Sequence, residues 1–239
     1  MRKKFLLAGL LLAGNAHAWS TISFYGDSFT YRSGWNCDGL GMTSEQCAAY
    51  RADSSFVSYV AHPYSWTTTP VFDVVAVDGV GGSTCLGASN NPQPLSDRLQ
   101  DRNEAAIAVM IGINDVNLGG RTVQETVSCI VSVWTTIADV YGATPIAVTY
   151  PPIDPSAVTW EGWETSGTEA AQNAVALNQA IISAANAFNQ DRGPGEKYVQ
   201  VVNFGNAYSP APGGYTIDGA HPNPTGALQL ARFFYWALH

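Results

Sequence analysis

Four groups of residues in this chain have the types needed for chemistry at a carbonyl. Ser28 follows directly on Gly26-Asp27, and Gly82 sits in the run Asp78-Gly79-Val80-Gly81-Gly82-Ser83-Thr84. Asn114 lies in Gly112-Ile113-Asn114-Asp115, and Asp218 and His221 stand three apart in Asp218-Gly219-Ala220-His221-Pro222. Acyl transfer to serine needs a base for the hydroxyl proton, a group that orients the base, and donors aimed at the developing oxyanion. Asp218 can accept the Nδ1 proton of His221 and leave Nε2 as the base toward Ser28. Three donors are available. Gly82 has no Cβ to keep substrate away from its N–H, Asn114 offers a side-chain amide, and Ser28 its own main-chain N–H. Each group also has a plain structural role, with glycines as turn formers, Ser28 and Asn114 as helix caps, and Asp218 in a turn. What separates the two readings is where the fold puts them.

Apolar, β-branched runs at Thr21–Tyr25, Val71–Val77, Ala106–Ile111, Pro145–Thr149 and Tyr198–Asn203 read as five buried strands, covered on both faces. Helical patterns fall at Ser44–Ala61, Leu95–Asn103, Thr122–Tyr141, Gly167–Gln190 and Pro224–Leu238. Alternation of this kind predicts an α/β fold, a mostly parallel, doubly wound sheet with right-handed crossovers. No repeat or low-complexity linker divides the chain, so residues 19–239 read as a single domain. Ligands of such sheets bind outside the carboxyl ends of the strands. The four groups follow strands one, two, three and five, so parallel pairing would merge them into one site. Pro222 favours an extended approach and a sharp helix start, which would aim Asp218 and His221 at the strand edge.

These residues resemble the four sequence blocks of the GDSL-type esterases and lipases in the SGNH-hydrolase superfamily. Gly26-Asp27-Ser28 is similar to the nucleophile block, Gly82 to the oxyanion glycine, Gly112-Ile113-Asn114-Asp115 to the Gly-x-Asn-Asp block, and Asp218-x-x-His221-Pro222 to the final block. One fixed triplet is expected at a given position with a frequency on the order of 10⁻⁴. Four in order at strand ends are therefore not coincidence. The resemblance implies a three-layer α/β/α sandwich with a five-stranded parallel sheet in the flavodoxin-like order 2-1-3-4-5. It also implies ester hydrolysis through an acyl-serine, with catalytic Ser28, Asp218 and His221, an oxyanion hole of Ser28, Gly82 and Asn114, and no metal or organic cofactor. Two positions depart from the pattern. Phe29 replaces the leucine of GDSL, and Asp78 stands where many relatives carry asparagine, which leaves Gly81 as the alternative to Gly82.

Residues 1–18 read as an export signal, with Arg2, Lys3 and Lys4, an apolar core from Phe5 to Ala13, and the small-x-small site Ala16-His17-Ala18. A secreted or periplasmic protein is expected. No run is long enough for stable membrane insertion. The signal holds three of the eleven basic residues and none of the nineteen acidic ones, so the mature net charge is −11. That charge disfavours nucleic acid and anionic membranes as partners. Cys37, Cys47, Cys85 and Cys129 form an even set in an exported chain, and the pairs Cys37–Cys47 and Cys85–Cys129 are expected. Without a Cys-x-x-Cys pair, a zinc site is not expected. Cys129 falls off the apolar face of its helix, as a cysteine bonded to a neighbouring loop would. Asp27 and Asp115 are read as hydrogen-bond acceptors that hold the two loops, and His62 as a cap or surface residue.

Tyr31, Trp35, Trp160 and Trp163 offer flat aromatic faces at the open end of the sheet, suited to sugar rings or to packing loops on the core. The expected substrate is a small-molecule or polysaccharide ester, with acetyl groups on carbohydrate favoured and a monomer as the acting species. A general short-chain esterase or lipase is the alternative. Further alternatives are a non-catalytic carbohydrate-binding protein and a flavodoxin-like cofactor binder on the same fold.

Overall fold

The computed structural model describes residues 21–30, 43–47, 55–61, 72–87, 94–156, 165–210 and 214–238. Five strands, β1 (Thr21–Gly26), β2 (Asp73–Gly79), β3 (Ala106–Met110), β4 (Thr144–Val148) and β5 (Gln200–Val202), form one sheet in the order β2-β1-β3-β4-β5. Every pairing is parallel. The helices are α1 (Phe56–Ala61), α2 (Leu95–Arg98), α3 (Ile113–Asn117), α4 (Val123–Thr135), α5 (Gly167–Gln190) and α6 (Pro224–Leu238). In this order the chain leaves β1 toward one side for β2 and returns to the other side for β3. The gap between the ends of β1 and β3 is thus the switch point at which such sheets bind ligands.

Alternation along β1 builds the packing. Phe24 meets Phe56 of α1 and Phe234 of α6 with ring centroids 5.8 and 5.3 Å apart, which fixes those two helices on one face. Tyr25, pointing the other way, bonds the backbone of Gln100 through its hydroxyl. Helices α4 and α5 pack together, with the rings of Trp134 and Phe188 6.2 Å apart and Trp134 fully buried. Helix α4 starts on a capping box in which Thr122 Oγ1 accepts from Glu125 N–H and the Glu125 carboxylate accepts from Thr122 N–H.

Some elements differ from the sequence expectation. β2 is an edge strand of alternating exposure, with Val75 42% and Val77 39% exposed, because an end strand is only partly covered by helices that centre on the sheet. The helix expected over Leu95–Asn103 stops at Arg98, and Leu99 is extended. Arg98 turns inward there, and Asn103 takes a positive φ of 59° with its N–H on Asp101. The helix expected over Thr122–Tyr141 ends in a wider π turn, Thr136–Val140. The helix expected over Ser44–Ala61 is described in two pieces, 44–47 and Phe56–Ala61, with 48–54 outside the described residues. Helix α3 is not among the helical ranges read from sequence, where the only helical role given to Asn114 is the alternative one of a cap. Helices α5 and α6 occupy the ranges read from sequence.

Candidate active site

The serine is presented by a turn that only glycine permits. Thr30 N–H closes onto Asp27 O at 3.1 Å, and Asp27 N–H reaches Met110 O on β3. A Cβ at Gly26 would lie 2.1 Å from Thr30 Oγ1 and 2.3 Å from Met110 O, so the strand can cross this point only without a side chain. Residues 28–30 continue as a turn, and Ser28 caps no described helix.

The other end of the chain comes to meet it. Ser28 Oγ lies 2.8 Å from His221 Nε2, across 193 residues of sequence. His221 Nδ1 lies 2.7 Å from Asp218 Oδ2. The other carboxylate oxygen of Asp218 accepts the N–H groups of Ala220 and His221 at 3.0 and 2.7 Å, so one aspartate shapes the turn and orients the imidazole. Ile217 N–H bonds His221 O, and an antiparallel bridge joins Thr216 to Pro222, which makes the segment a closed loop. His221 is 5% exposed, and its imidazole rests on the Phe29 ring with the centroids 4.7 Å apart. Phe29 thus takes a packing role at the position where the family pattern has leucine.

Asn114 lies inside α3 rather than capping it, is 3% exposed, and donates one amide hydrogen to Ser83 O at 3.0 Å. That bond sets its amide beside Gly82, whose φ of 74° turns the loop as glycine readily does. Among the described residues nothing accepts from the N–H of Gly82 or of Ser28. Asp115 holds the same loop. Its carboxylate accepts Cys85 N–H at 2.8 Å and Leu86 N–H at 3.0 Å, and burial raises its pKa. The Cys85–Cys129 disulfide ties the loop to α4. Cys37 of the other expected pair lies outside the described residues, as do Tyr31, Trp35, Trp160, Trp163 and His62.

Two residues that the sequence reading did not single out bind these loops together. Tyr150, just past β4, donates its hydroxyl hydrogen to Asp27 Oδ2 at 2.5 Å while its oxygen accepts Ile113 N–H at 3.2 Å. One phenol thus joins the Ser28 turn to the start of α3. Burial, with the Asp27 carboxyl beside it, raises the Tyr150 pKa well above that of a free phenol. Asp27 is fully buried, accepts Phe29 N–H at 2.9 Å, and is pushed up to about 7 by desolvation, which outweighs its hydrogen bonds. Arg98 makes the second clamp. Its guanidinium donates to Asp78 Oδ1 at 2.5 Å, Asp78 O, Gly26 O at 3.1 Å and Ser83 Oγ at 2.8 Å. Asp78, the departure in the second block, is therefore one partner of an arginine whose side chain is 8% exposed. The one signal for Tyr150 was its place at a strand's carboxyl end. Arg98 had none, because a cation within a helical range carries no mark of the partners that other elements bring to it.

No group of three or more metal-ligating side chains occurs among the described residues, and no described helix is long and apolar enough to cross a membrane. Residues 24–228 match the model of the GDSL-like lipase/acylhydrolase family. No curated protein matches by sequence. Among solved structures, a carbohydrate acetylesterase of Sinorhizobium meliloti is similar at 16% identity and TM-score 0.61, covering 90% of this chain and 96% of its own. An aryl esterase of M. smegmatis is similar at 17% identity and TM-score 0.63, over 91% and 96%. An α/β hydrolase from the metagenome of Lake Arreo, Spain, is similar at 20% identity and TM-score 0.61, over 92% and 94%. The chain belongs to the GDSL-like lipase/acylhydrolase family, on the SGNH-hydrolase fold. That membership makes it a carboxylic ester hydrolase.

Proposed function

We propose that this protein is an exported serine esterase that removes short acyl groups, acetyl foremost, from carbohydrate. The observation that carries the serine chemistry is the unbroken hydrogen-bond line from Ser28 Oγ through His221 to Asp218. His221 Nε2 takes the Ser28 proton as Oγ attacks the ester carbonyl. The carbonyl oxygen becomes an oxyanion held by the N–H groups of Ser28 and Gly82 and the second amide hydrogen of Asn114. As the C–O bond breaks, imidazolium returns the proton to the leaving alcohol, and the acyl group stays on Ser28. A water then gives one proton to Nε2 and attacks the acyl-serine, and collapse releases the acid and restores the hydroxyl. Asp218 keeps Nδ1–H in place and offsets the transient positive charge.

Export is supported by the form of residues 1–18, and carbohydrate by the abundance of Gly, Ser and Asn, by Trp35, Trp160 and Trp163 in the sequence, and by the acetylesterase among the structural neighbours. The test is a panel of acetylated xylan, pectin and chitin fragments set against p-nitrophenyl esters of rising acyl length. The reading predicts the highest kcat/KM on acetylated saccharides and none for Ser28→Ala. A preference for long acyl chains would replace it with a lipase.

A further inference from the structure

Away from the hydroxyl–imidazole line, a cavity of about 420 Å³ opens between the C-terminal end of α3 and the N-termini of α4 and α5. Asn117, Arg121, Thr165, Glu169 and Asn173 supply its polar wall, with Val116 and Val123 as its apolar part. We propose that it is a saccharide subsite, which seats a sugar ring next to the one whose ester is cleaved. This rests on the carbohydrate-esterase reading above.

Two residues of that wall carry a buried polar atom with no partner within the chain. Asn117 is 1% exposed, and its Oδ1 accepts from Asn173 Nδ2 at 2.8 Å, yet its Nδ2 has no partner. Thr165 Oγ1 is likewise buried and unpartnered. Leaving a buried polar group without a hydrogen bond is costly, and buried polar atoms left this way are uncommon. One is a pure donor and the other both donates and accepts. Hydroxyl groups, which do both, suit the pair.

Charge narrows the ligand further. Arg121 and Glu169 stand in the same wall with opposite charges, and the Glu125 carboxylate, held by Thr122, lies close enough to feel the charge of Arg121. The N-terminus of α4 is closed by its own capping box, and that of α5 by Ser166 accepting Glu169 N–H. A phosphate or carboxylate would therefore meet two carboxylates for the one guanidinium. An acyl chain would meet mostly polar groups. A neutral polyhydroxyl ring fits both constraints.

Position ties the cavity to the reaction. Asn117 is one turn along α3 from Asn114, about 5 Å at the helical rise. That is close enough for one chain to span both points.

The experiment compares acetylated xylo-oligosaccharide with p-nitrophenyl acetate in wild type, Asn173→Leu and Glu169→Gln, and titrates deacetylated oligosaccharide into the same variants on Ser28→Ala. The expected result is a fall of tenfold or more in the ratio of kcat/KM on oligosaccharide to that on p-nitrophenyl acetate. A matching loss of binding in the titration is expected with it. Equal losses on both substrates would mean a structural role and overturn the subsite, as would no change on either. Hydrolysis of p-nitrophenyl acetate with no saccharide turned over or bound would remove the subsite and the carbohydrate substrate while leaving the esterase. Failure on every ester would instead remove the proposed function, and the titration would still decide the subsite.

Discussion

Asp27 behind the serine should make folding stability depend on pH, in a direction opposite to that of most carboxylates. Its pKa is 3.8 in the reference state and about 7 in the fold, because full burial disfavours the charged form more than Tyr150 and Phe29 favour it. A raised folded-state pKa means that the folded protein binds the proton more tightly than the unfolded chain. The stabilisation is therefore complete below about pH 4 and is lost as pH rises through about 7. The rise from 3.8 to about 7 corresponds to about 4 kcal/mol. Asp27→Asn keeps an acceptor for Phe29 N–H and removes the titration. The exchange of amide for carboxyl also adds an offset, which is constant with pH and drops out. Urea unfolding of both proteins from pH 4 to 8 reads the difference. Wild-type stability should fall relative to Asp27→Asn by about 3–4 kcal/mol across that range. A flat difference, or one that rises with pH, would show that Asp27 is ionised throughout and that its hydrogen bonds outweigh its burial.

Other perturbations separate machinery from scaffold. His221→Ala should cost several orders of magnitude in kcat, and Asn114→Ala about a hundredfold with KM little changed, both read by steady-state kinetics. Asp78→Asn removes the carboxylate to which Arg98 donates from a side chain only 8% exposed. It should lower stability by about 1–3 kcal/mol and lower kcat through the Gly82 loop, whereas Arg98→Met should do more harm; thermal unfolding and p-nitrophenyl acetate turnover check both. Replacing Cys85 and Cys129 by serine opens a link across 44 residues. The chain-entropy account puts its loss at about 4 kcal/mol, measured by urea unfolding.

The five strands were legible because a parallel sheet needs apolar, β-branched runs of strand length. Helices α5 and α6 were legible because long amphipathic periodicity leaves few alternatives. Short elements were not. Helix α3 is five residues long, too short for a period to declare itself. Helix α2 ends early because Arg98 finds Asp78, Gly26 and Ser83, all supplied by other elements. Val75 and Val77 read as core residues, yet their exposure depends on β2 lying at the sheet's edge, a property of strand order.

The sequence by itself determined which atoms are available to react, since Ser28, Gly82, Asn114, Asp218 and His221 stand in blocks whose local turns are encoded within a few residues. The tertiary structure alone decided that Ser28 Oγ and His221 Nε2 lie 2.8 Å apart, and that Tyr150 and Arg98 bind the loops around them. The physical reason is range. A turn is settled by neighbouring dihedrals and side chains, whereas a buried phenol or guanidinium gains its partners only when strands distant in sequence are brought side by side.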